Sequence, residues 1–177
     1  MNNKELKKYG LSLYKKWKKE LTFEEKKALI KYKVFNSYAK KLNGDLRNNK
    51  NRNDAAIIRK ALKKSVIDRN LILLRNTDYK IFENNNLSPE NISVGDILID
   101  KAFLSTSLYQ TKIRFKNKVL FKINCPIGTQ GGYMDKFGIS WNEREILLNG
   151  PCKLIVKKVE HTDKQLILEV DYEPLNI

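Results

Sequence analysis

The character of the sequence changes near residue 70, and this change limits the fold classes open to the chain. Before it, apolar residues recur at helical spacing; after it, short apolar runs alternate with turn-forming residues. Strands and helices therefore do not alternate along the chain as they do in parallel α/β folds. The pattern predicts one α+β domain with mainly antiparallel strands, a helical part at residues 1–66 and a β-rich part at residues 70–177.

Three helices are predicted in the helical part. Thr22 and Glu25 have the spacing of a capping box, so a helix begins there and runs as one element to Leu42, where Asn43 and Gly44 can stop it. A later helix is capped by Asn53 or Asp54. The predicted helical segments are residues 4–19, EEKKALIKYKVFNSYAKKL at 24–42 and AAIIRKALKKS at 55–65.

The β-rich part contains six apolar runs of strand length. Between the first two, Ser88 and Pro89 predict a single helical turn. The predicted strand segments are LILLRN at 71–76, DILIDKAFLSTS at 96–107, KVLFKINC at 118–125, REILLN at 144–149, CKLIVKKVE at 152–160 and QLILEVDYE at 165–173.

Charge and composition argue against several classes of protein. The net charge of +15 favours acidic partners, but the lysines spread over predicted helix faces and no nucleic-acid-binding motif accompanies them. There is no run of about 18 apolar residues, as a transmembrane helix needs. The first 20 residues carry lysines where a signal peptide has its apolar run. We therefore expect neither nucleic-acid binding nor a membrane span.

The cysteines and the histidine give no sign of a metal site. Cys125 and Cys152 lack metal-ligand spacing, and we predict that both are buried free thiols. His161 is the only histidine and lies in a turn-like segment, which argues against a histidine-dependent triad or a multi-histidine site. We predict no bound metal.

Three predicted strands carry polar residues that their apolar neighbours do not explain. Arg75 ends the run LILLR, and Ser105 and Ser107 share one face of a strand. Glu143 and Glu145 point the same way from an extended segment, so their charges repel unless a cation lies near them. Singly, each feature also fits a plain structural role: a strand-end ion pair, satisfied hydroxyls or a solvated strand edge.

Taken in order, these residues resemble a known signature. Arg75, then Ser105-Thr106-Ser107, then Glu143-x-Glu145 is similar to the Arg/Ser/Glu signature of mono-ADP-ribosyltransferase toxins. The branch is that of the iota toxin enzymatic component, the vegetative insecticidal ADP-ribosylating toxins and the clostridial Rho-modifying exoenzymes. The segments NSYAKKLNGDLR and GTQGGYMDKF resemble the family's helical lead-in and recognition turn. The resemblance implies N-terminal helices packed on two roughly perpendicular, mainly antiparallel sheets, with an NAD cleft between the sheets.

The resemblance also assigns roles in NAD chemistry. Breaking the bond between nicotinamide and ribose builds positive charge on the sugar, which a fixed carboxylate stabilises. Glu145 takes that role, and Ser105 holds its carboxylate in place. Arg75, helped by Arg47, binds the diphosphate. The further NAD contacts that the resemblance implies are Asn76, Thr106, Ser107, Arg114 and Phe115.

Target choice is implied by the first glutamate of the pair. In the family, a glutamate at the position of Glu143 goes with arginine modification, and actin is the target that the branch suggests. Tyr133 and Trp141 are the aromatic residues of the recognition turn, although Trp141 stands one position later than the family's usual aromatic residue. The implied protein is secreted or delivered into the cytosol of a host cell, with a translocation partner as an option.

The resemblance leaves two other functions to weigh against the transferase. An NAD glycohydrolase would use water in place of a protein nucleophile, although the retained Glu143 argues against this. A non-catalytic module of a binary toxin would bind a translocation partner, although such domains typically lose the signature that Arg75, Ser105 and Glu145 retain.

Overall fold

A computed structural model describes residues 1–109, 118–138 and 144–175 of the chain. Within these ranges, four helices precede the first strand and a short fifth helix follows it, as the α+β prediction requires. The helices are α1 (Asn3–Glu20), α2 (Phe23–Val34), α3 (Asn36–Arg47), α4 (Asn53–Lys63) and α5 (Lys80–Glu83). The strands are β1 (Leu71–Thr77), β2 (Ile97–Asp100), β3 (Leu104–Ser107), β4 (Val119–Cys125), β5 (Gly131–Tyr133), β6 (Glu145–Leu148), β7 (Cys152–His161) and β8 (Leu166–Pro174).

The predicted capping box at the start of α2 is confirmed. The Thr22 hydroxyl accepts a hydrogen bond from Glu25 N at 3.2 Å, and the Glu25 carboxylate accepts one from Thr22 N at 2.8 Å. The prediction of one helix from there to Leu42 is wrong. Phe35 has an extended backbone (φ −100°, ψ 90°) and separates α2 from α3. The break allows Leu29 of α2 and Leu42 of α3 to enter the same apolar cluster.

Other helix ends also differ from the prediction. Helix α3 continues past Gly44 to Arg47. Helix α4 begins after Arg52, which makes no side-chain cap, so neither Asn53 nor Asp54 is the N-cap. Around Ser88 the chain forms a single turn closed by a hydrogen bond from Asn91 N to Ser88 O at 3.1 Å, and the Ser88 hydroxyl accepts one from Glu90 N at 3.3 Å, which agrees with the predicted turn capped by Ser88.

The described strands form one hydrogen-bonded sheet in the order β2-β7-β8-β4-β1-β3-β6-β5. All pairs are antiparallel except β4 with β8, which agrees with the mainly antiparallel prediction. The expected division into two sheets is not confirmed, because β1 and β3 join through the pair Leu74 and Ser107. This narrow junction brings the middle of β1, the end of β3 and the start of β6 together, where the candidate site lies.

The buried residues form two apolar clusters that meet along α1. Tyr9 and Leu13 belong to the cluster around the sheet, and Trp17 belongs to the cluster under α2, α3 and α4. Trp17 is fully enclosed and donates a hydrogen bond from its indole N–H to Ala61 O at 2.8 Å. Helix α1 therefore fixes the helical part against the sheet.

Both cysteines are buried and free, as predicted. Burial raises the pKa of the Cys125 thiol to about 11 and that of the Cys152 thiol to about 12, so neither is an activated nucleophile. His161 is exposed at the end of β7. No helix in the described residues is both long enough and apolar enough to cross a membrane.

Candidate active site

A cleft of about 790 Å³ lies between helices α2 and α3 on one side and strands β1, β3 and β6 on the other. Cationic side chains outnumber carboxylates among the described residues that line it. Such a surface attracts an anionic ligand. The charged lining residues are Lys33, Lys40, Arg47, Arg75, Lys80, Asp78 and Glu145.

Glu145 is held in this cleft through both carboxylate oxygens. It is the first residue of β6 and only 7% exposed. Its Oε1 accepts a hydrogen bond from the Ser105 hydroxyl at 2.6 Å, and its Oε2 accepts one from Lys33 Nζ at 2.6 Å. Ser105 can reach it because β3 and β6 are paired antiparallel with Ser107 opposite Glu145, which makes Ser105 a diagonal neighbour. The carboxylate is therefore preorganised.

Lys33 is a site residue that the sequence reasoning missed. It lies on α2 among other lysines, where a solvated helix face is the ordinary interpretation. In the structure its side chain is only 3% exposed and forms an ion pair with Glu145. The two residues are 112 positions apart, so no local pattern indicates the contact.

Asp135 is a second residue that the sequence reasoning missed. It is 1% exposed, and its carboxylate accepts hydrogen bonds from Glu145 N at 3.0 Å, from Arg144 N at 2.8 Å and from the Tyr133 hydroxyl at 3.1 Å. Arg144 has a positive φ of 47°, which is uncommon for a residue with a side chain. Asp135 thus fixes the backbone just where β6 begins. An acidic residue directly after the apolar run GGYM is the signal that could have indicated it.

Arg75 lines the cleft, and one of its buried donors lacks a hydrogen-bond partner in the part of the chain that the structure describes. Its Nη1 donates to the Ser105 carbonyl at 2.8 Å, which fixes the side chain across the β1–β3 junction. Within the described residues its Nε is buried and has no hydrogen-bond partner. Buried donors are nearly always satisfied, so this unpaired donor is an exception, and a guanidinium on the cleft lining is the group that best matches phosphate or carboxylate oxygens.

Arg47 lies in the cleft wall in a bidentate pair with Asp100. Its Nε and Nη2 donate to the two Asp100 carboxylate oxygens at 3.0 Å and 2.9 Å. Burial opposes ionisation of Asp100, but the guanidinium outweighs it and holds the pKa of that carboxyl below its usual value. Arg47 is therefore held in place as a fixed positive charge beside the cleft.

Tyr32 supplies a neutral hydroxyl to the same cleft. Burial raises the pKa of its phenol, and the nearby Glu145 carboxylate raises it further. The hydroxyl accepts a hydrogen bond from the Asn43 amide at 2.8 Å, which leaves its own proton available for donation.

The structure brings together the four residues on which the proposed chemistry depends most: Glu145, Ser105, Arg75 and Arg47. Two other predicted residues are placed elsewhere. Thr106 is 2% exposed and donates its hydroxyl to the Ile146 carbonyl at 2.7 Å, so its side chain supports the pairing of β3 with β6. Tyr133 is 2% exposed and its ring packs beneath α1 beside Gly10.

The remaining predicted residues divide into two groups. Asn76 and Ser107 lie on β1 and β3 and are not among the residues that line the cleft. Arg114, Phe115, Trp141 and Glu143 lie outside the described residues.

Comparison with known proteins decides the family. The sequence model described as "ADP-ribosyltransferase exoenzyme" matches residues 6–173. The chain belongs to this family. The assignment made from the order of Arg75, Ser105 and Glu145 is thereby confirmed. A search of curated proteins finds no match.

Solved structures of ADP-ribosyltransferases share the fold over nearly the whole chain. Plx2a, an ADP-ribosyltransferase toxin from Paenibacillus larvae, is 25% identical with a TM-score of 0.81, covering 98% of this chain and 96% of that chain. The Clostridium limosum C3 exoenzyme is 23% identical with a TM-score of 0.82, covering 98% and 95%. C3stau2 from S. aureus, solved with NAD, is 18% identical with a TM-score of 0.80, covering 99% and 97%.

No group of three or more His, Cys, Asp or Glu side chains in the described ranges is placed to hold a metal ion. Two carboxylates at the cleft instead face cationic side chains. Glu145 contacts Lys33, and the Asp100 carboxylate beside the cleft contacts Arg47.

Proposed function

We propose that this protein cleaves NAD and transfers a single ADP-ribose to an arginine of a host protein. The observation that carries the proposal is the Glu145 carboxylate, fixed by Ser105 and Lys33 in a cleft where Arg75 has an unused donor. Family membership and the S. aureus relative solved with NAD support NAD as the co-substrate.

The residues of the cleft fit NAD. Its diphosphate carries negative charge, and the buried Nε of Arg75 lacks an acceptor within the described residues. Arg75 binds a diphosphate oxygen, while Arg47, held by Asp100, adds positive charge from the cleft wall. No metal is needed for this binding, since the cations are supplied by side chains.

Glu145 provides the main electrostatic stabilisation. As the bond between nicotinamide and ribose breaks, the electron pair leaves with nicotinamide and positive charge develops on the sugar. The Glu145 carboxylate stabilises that charge and orients the ribose hydroxyl beside it. Because Ser105 already fixes Oε1, little reorganisation accompanies the reaction.

The acceptor is assigned from the family pattern at Glu143. A guanidinium is permanently protonated in water, so it needs a carboxylate that orients it and takes one proton as its nitrogen bonds to the ribose carbon. Glu143 is that carboxylate in our proposal. Actin is the proposed target by analogy with the branch that the sequence resembles, and the protein acts after secretion or delivery into a host cell.

The proposal is tested by incubating the protein with labelled NAD and a eukaryotic cell lysate, following protein labelling and free nicotinamide in parallel. Glu145→Gln should lower nicotinamide release by about 10²-fold or more, because a fixed charge that stabilises the transition state is lost. The matched control is Glu160→Gln, an exposed glutamate on β7, which should remain at wild-type activity.

Glu143→Gln separates chemistry from target choice. It should keep releasing nicotinamide while labelling of a band at the size of actin disappears. Nicotinamide release by the wild-type protein without any labelled protein would favour a glycohydrolase. Absence of NAD turnover would overturn the enzymatic proposal and leave a non-catalytic binding module.

A further inference from the structure

Lys33 is unusual among the lysines that the structure describes because its side chain is almost fully buried. Its Nζ lies 2.6 Å from Glu145 Oε2, and its side chain is 3% exposed. The stem also packs closely against Gly138, where an added Cβ would lie 3.0 Å from Lys33 Cγ. A lysine held this way has lost most of its conformational freedom. The packing of α2 alone does not require that this lysine be ordered.

We propose that Lys33 is a positioning residue for Glu145, an inference that rests on the proposed transferase function. Ser105 fixes only Oε1, and the terminal torsion of a glutamate has a broad energy profile. The second contact, from Lys33 to Oε2, sets the rotation of the carboxylate plane. Removing one partner of a buried ion pair leaves the other charge uncompensated, so the carboxylate would turn towards another donor or solvent.

A pure charge effect predicts the opposite outcome. The ammonium of Lys33 adds positive charge beside the place where positive charge develops on the ribose, which disfavours the transition state. If charge alone mattered, replacing Lys33 by a neutral residue would raise kcat. If positioning matters more, the same replacement lowers kcat, because displacing a reacting group by about 1 Å can cost up to ~10²-fold in rate.

A third role would affect binding instead of rate. Lys33 lines the cleft, and a lysine that contacted the diphosphate of NAD would influence mainly the KM for NAD. The three roles therefore differ in the kinetic constant that changes and in the direction of the change.

The experiment measures kcat and KM for nicotinamide release by the wild-type protein, Lys33→Met and Lys33→Arg. Methionine keeps an unbranched stem without the charge, and arginine keeps the charge. We expect Lys33→Met to lower kcat by about tenfold or more with the KM for NAD changed less than about threefold, and Lys33→Arg to recover most of kcat. The control is Lys27→Met, an exposed lysine on the same helix, which should match the wild type.

Several outcomes would overturn the inference while leaving the proposed function standing. These are an unchanged or raised kcat in Lys33→Met, or a change confined to KM. A third is a Lys33→Met substitution that lowers kcat as much in the Glu145→Gln background as in the wild type, because it would then act independently of Glu145. If Lys33→Met does not give the near-UV circular dichroism of the folded wild type, Lys33→Gln replaces it in the same comparison. A wild-type protein that releases no nicotinamide would instead overturn the proposed function itself.

Discussion

The buried carboxylate of Asp135 accepts three hydrogen bonds. Three donors from two segments of the chain converge on its carboxylate, and it is 1% exposed, so water cannot replace them. Hydrogen bonds to an ionised acceptor are stronger than those between neutral groups. Because two of the donors are the amides of Arg144 and Glu145, the position of the Glu145 backbone depends on this buried group.

Asp135→Asn should lower the free energy of unfolding by roughly 2–4 kcal/mol, because asparagine offers one acceptor oxygen and turns an NH₂ group towards a backbone N–H. It should also reduce nicotinamide release, since β6 would start from a displaced backbone. Urea denaturation followed by circular dichroism measures the first effect.

The control for this change is Asp163→Asn, in the exposed turn between β7 and β8. It should alter the free energy of unfolding by no more than about 0.5 kcal/mol. Equal stability of Asp135→Asn and the wild type would mean that the three hydrogen bonds add little to the folded state.

At the scale of elements, the structure distinguishes what local sequence can encode from what only tertiary packing decides. The capping box at Thr22 and the apolar runs of the long strands are local signals, and the corresponding elements were predicted. Strand β5 was not predicted, since Gly131 and Gly132 have low strand propensity and their pairing depends on β6 lying beside them. A side chain at Gly132 would put its Cβ 2.2 Å from the Trp17 ring, so the glycine is required by packing against α1.

The residues of the candidate site divide in the same way, into those that a sequence pattern indicates and those that only the fold brings together. Arg75, Ser105 and Glu145 were found because their order along the chain is a pattern. Lys33 could not be found, because its contact joins α2 to a strand 112 positions later and its burial depends on the whole fold. The break at Phe35 was missed for a related reason: helix propensity continues through it, and packing of Leu29 and Leu42 into one cluster favours the bend.

Alanine substitutions at two helical glycines should change the free energy of unfolding in opposite directions. A Cβ at Gly10 in α1 would lie 2.6 Å from the Tyr133 ring, whereas a Cβ at Gly44 in α3 would meet nothing within 4 Å. Gly10→Ala should therefore lower the free energy of unfolding by about 1–3 kcal/mol through overpacking. Gly44→Ala should raise it by about 0.5–1 kcal/mol, because alanine loses less backbone entropy in a helix.

Urea denaturation of both variants beside the wild type checks this pair. The difference in sign is the informative result, since both changes add one methyl group to a helix. Stabilisation by Gly10→Ala would mean that Tyr133 can move away from α1 at little cost, and the close packing of α1 on β5 would then not limit stability.

At the scale of the whole molecule, the scarce carboxylates oppose a large excess of positive charge. The chain has 35 Lys and Arg residues against 20 Asp and Glu residues. Hydrogen bonds from Arg52 and Arg69 lower the pKa of Asp45 and of Asp68, respectively. At Asp100 burial opposes ionisation, but the paired Arg47 prevails and lowers the pKa. Protonating these groups would both remove their pairs and increase the repulsion among the cations.

Lowering the pH should therefore lower the free energy of unfolding. Asp100 has a lowered pKa in the folded state and a value of about 3.9 when unfolded, so its contribution is fully present above the unfolded pKa and is lost as the pH falls through the folded pKa. Asp100→Asn should be less stable than the wild type at pH 7, where Arg47 loses its charged partner, and should lose less stability on acidification.

Urea denaturation from about pH 7 to about pH 3 measures how the free energy of unfolding of the wild type and of Asp100→Asn changes with pH, with Asp163→Asn as the exposed control. If Asp100→Asn kept the full acid sensitivity of the wild type, the Arg47–Asp100 pair would not contribute to it, and the exposed pairs and the net charge would have to account for the loss of stability.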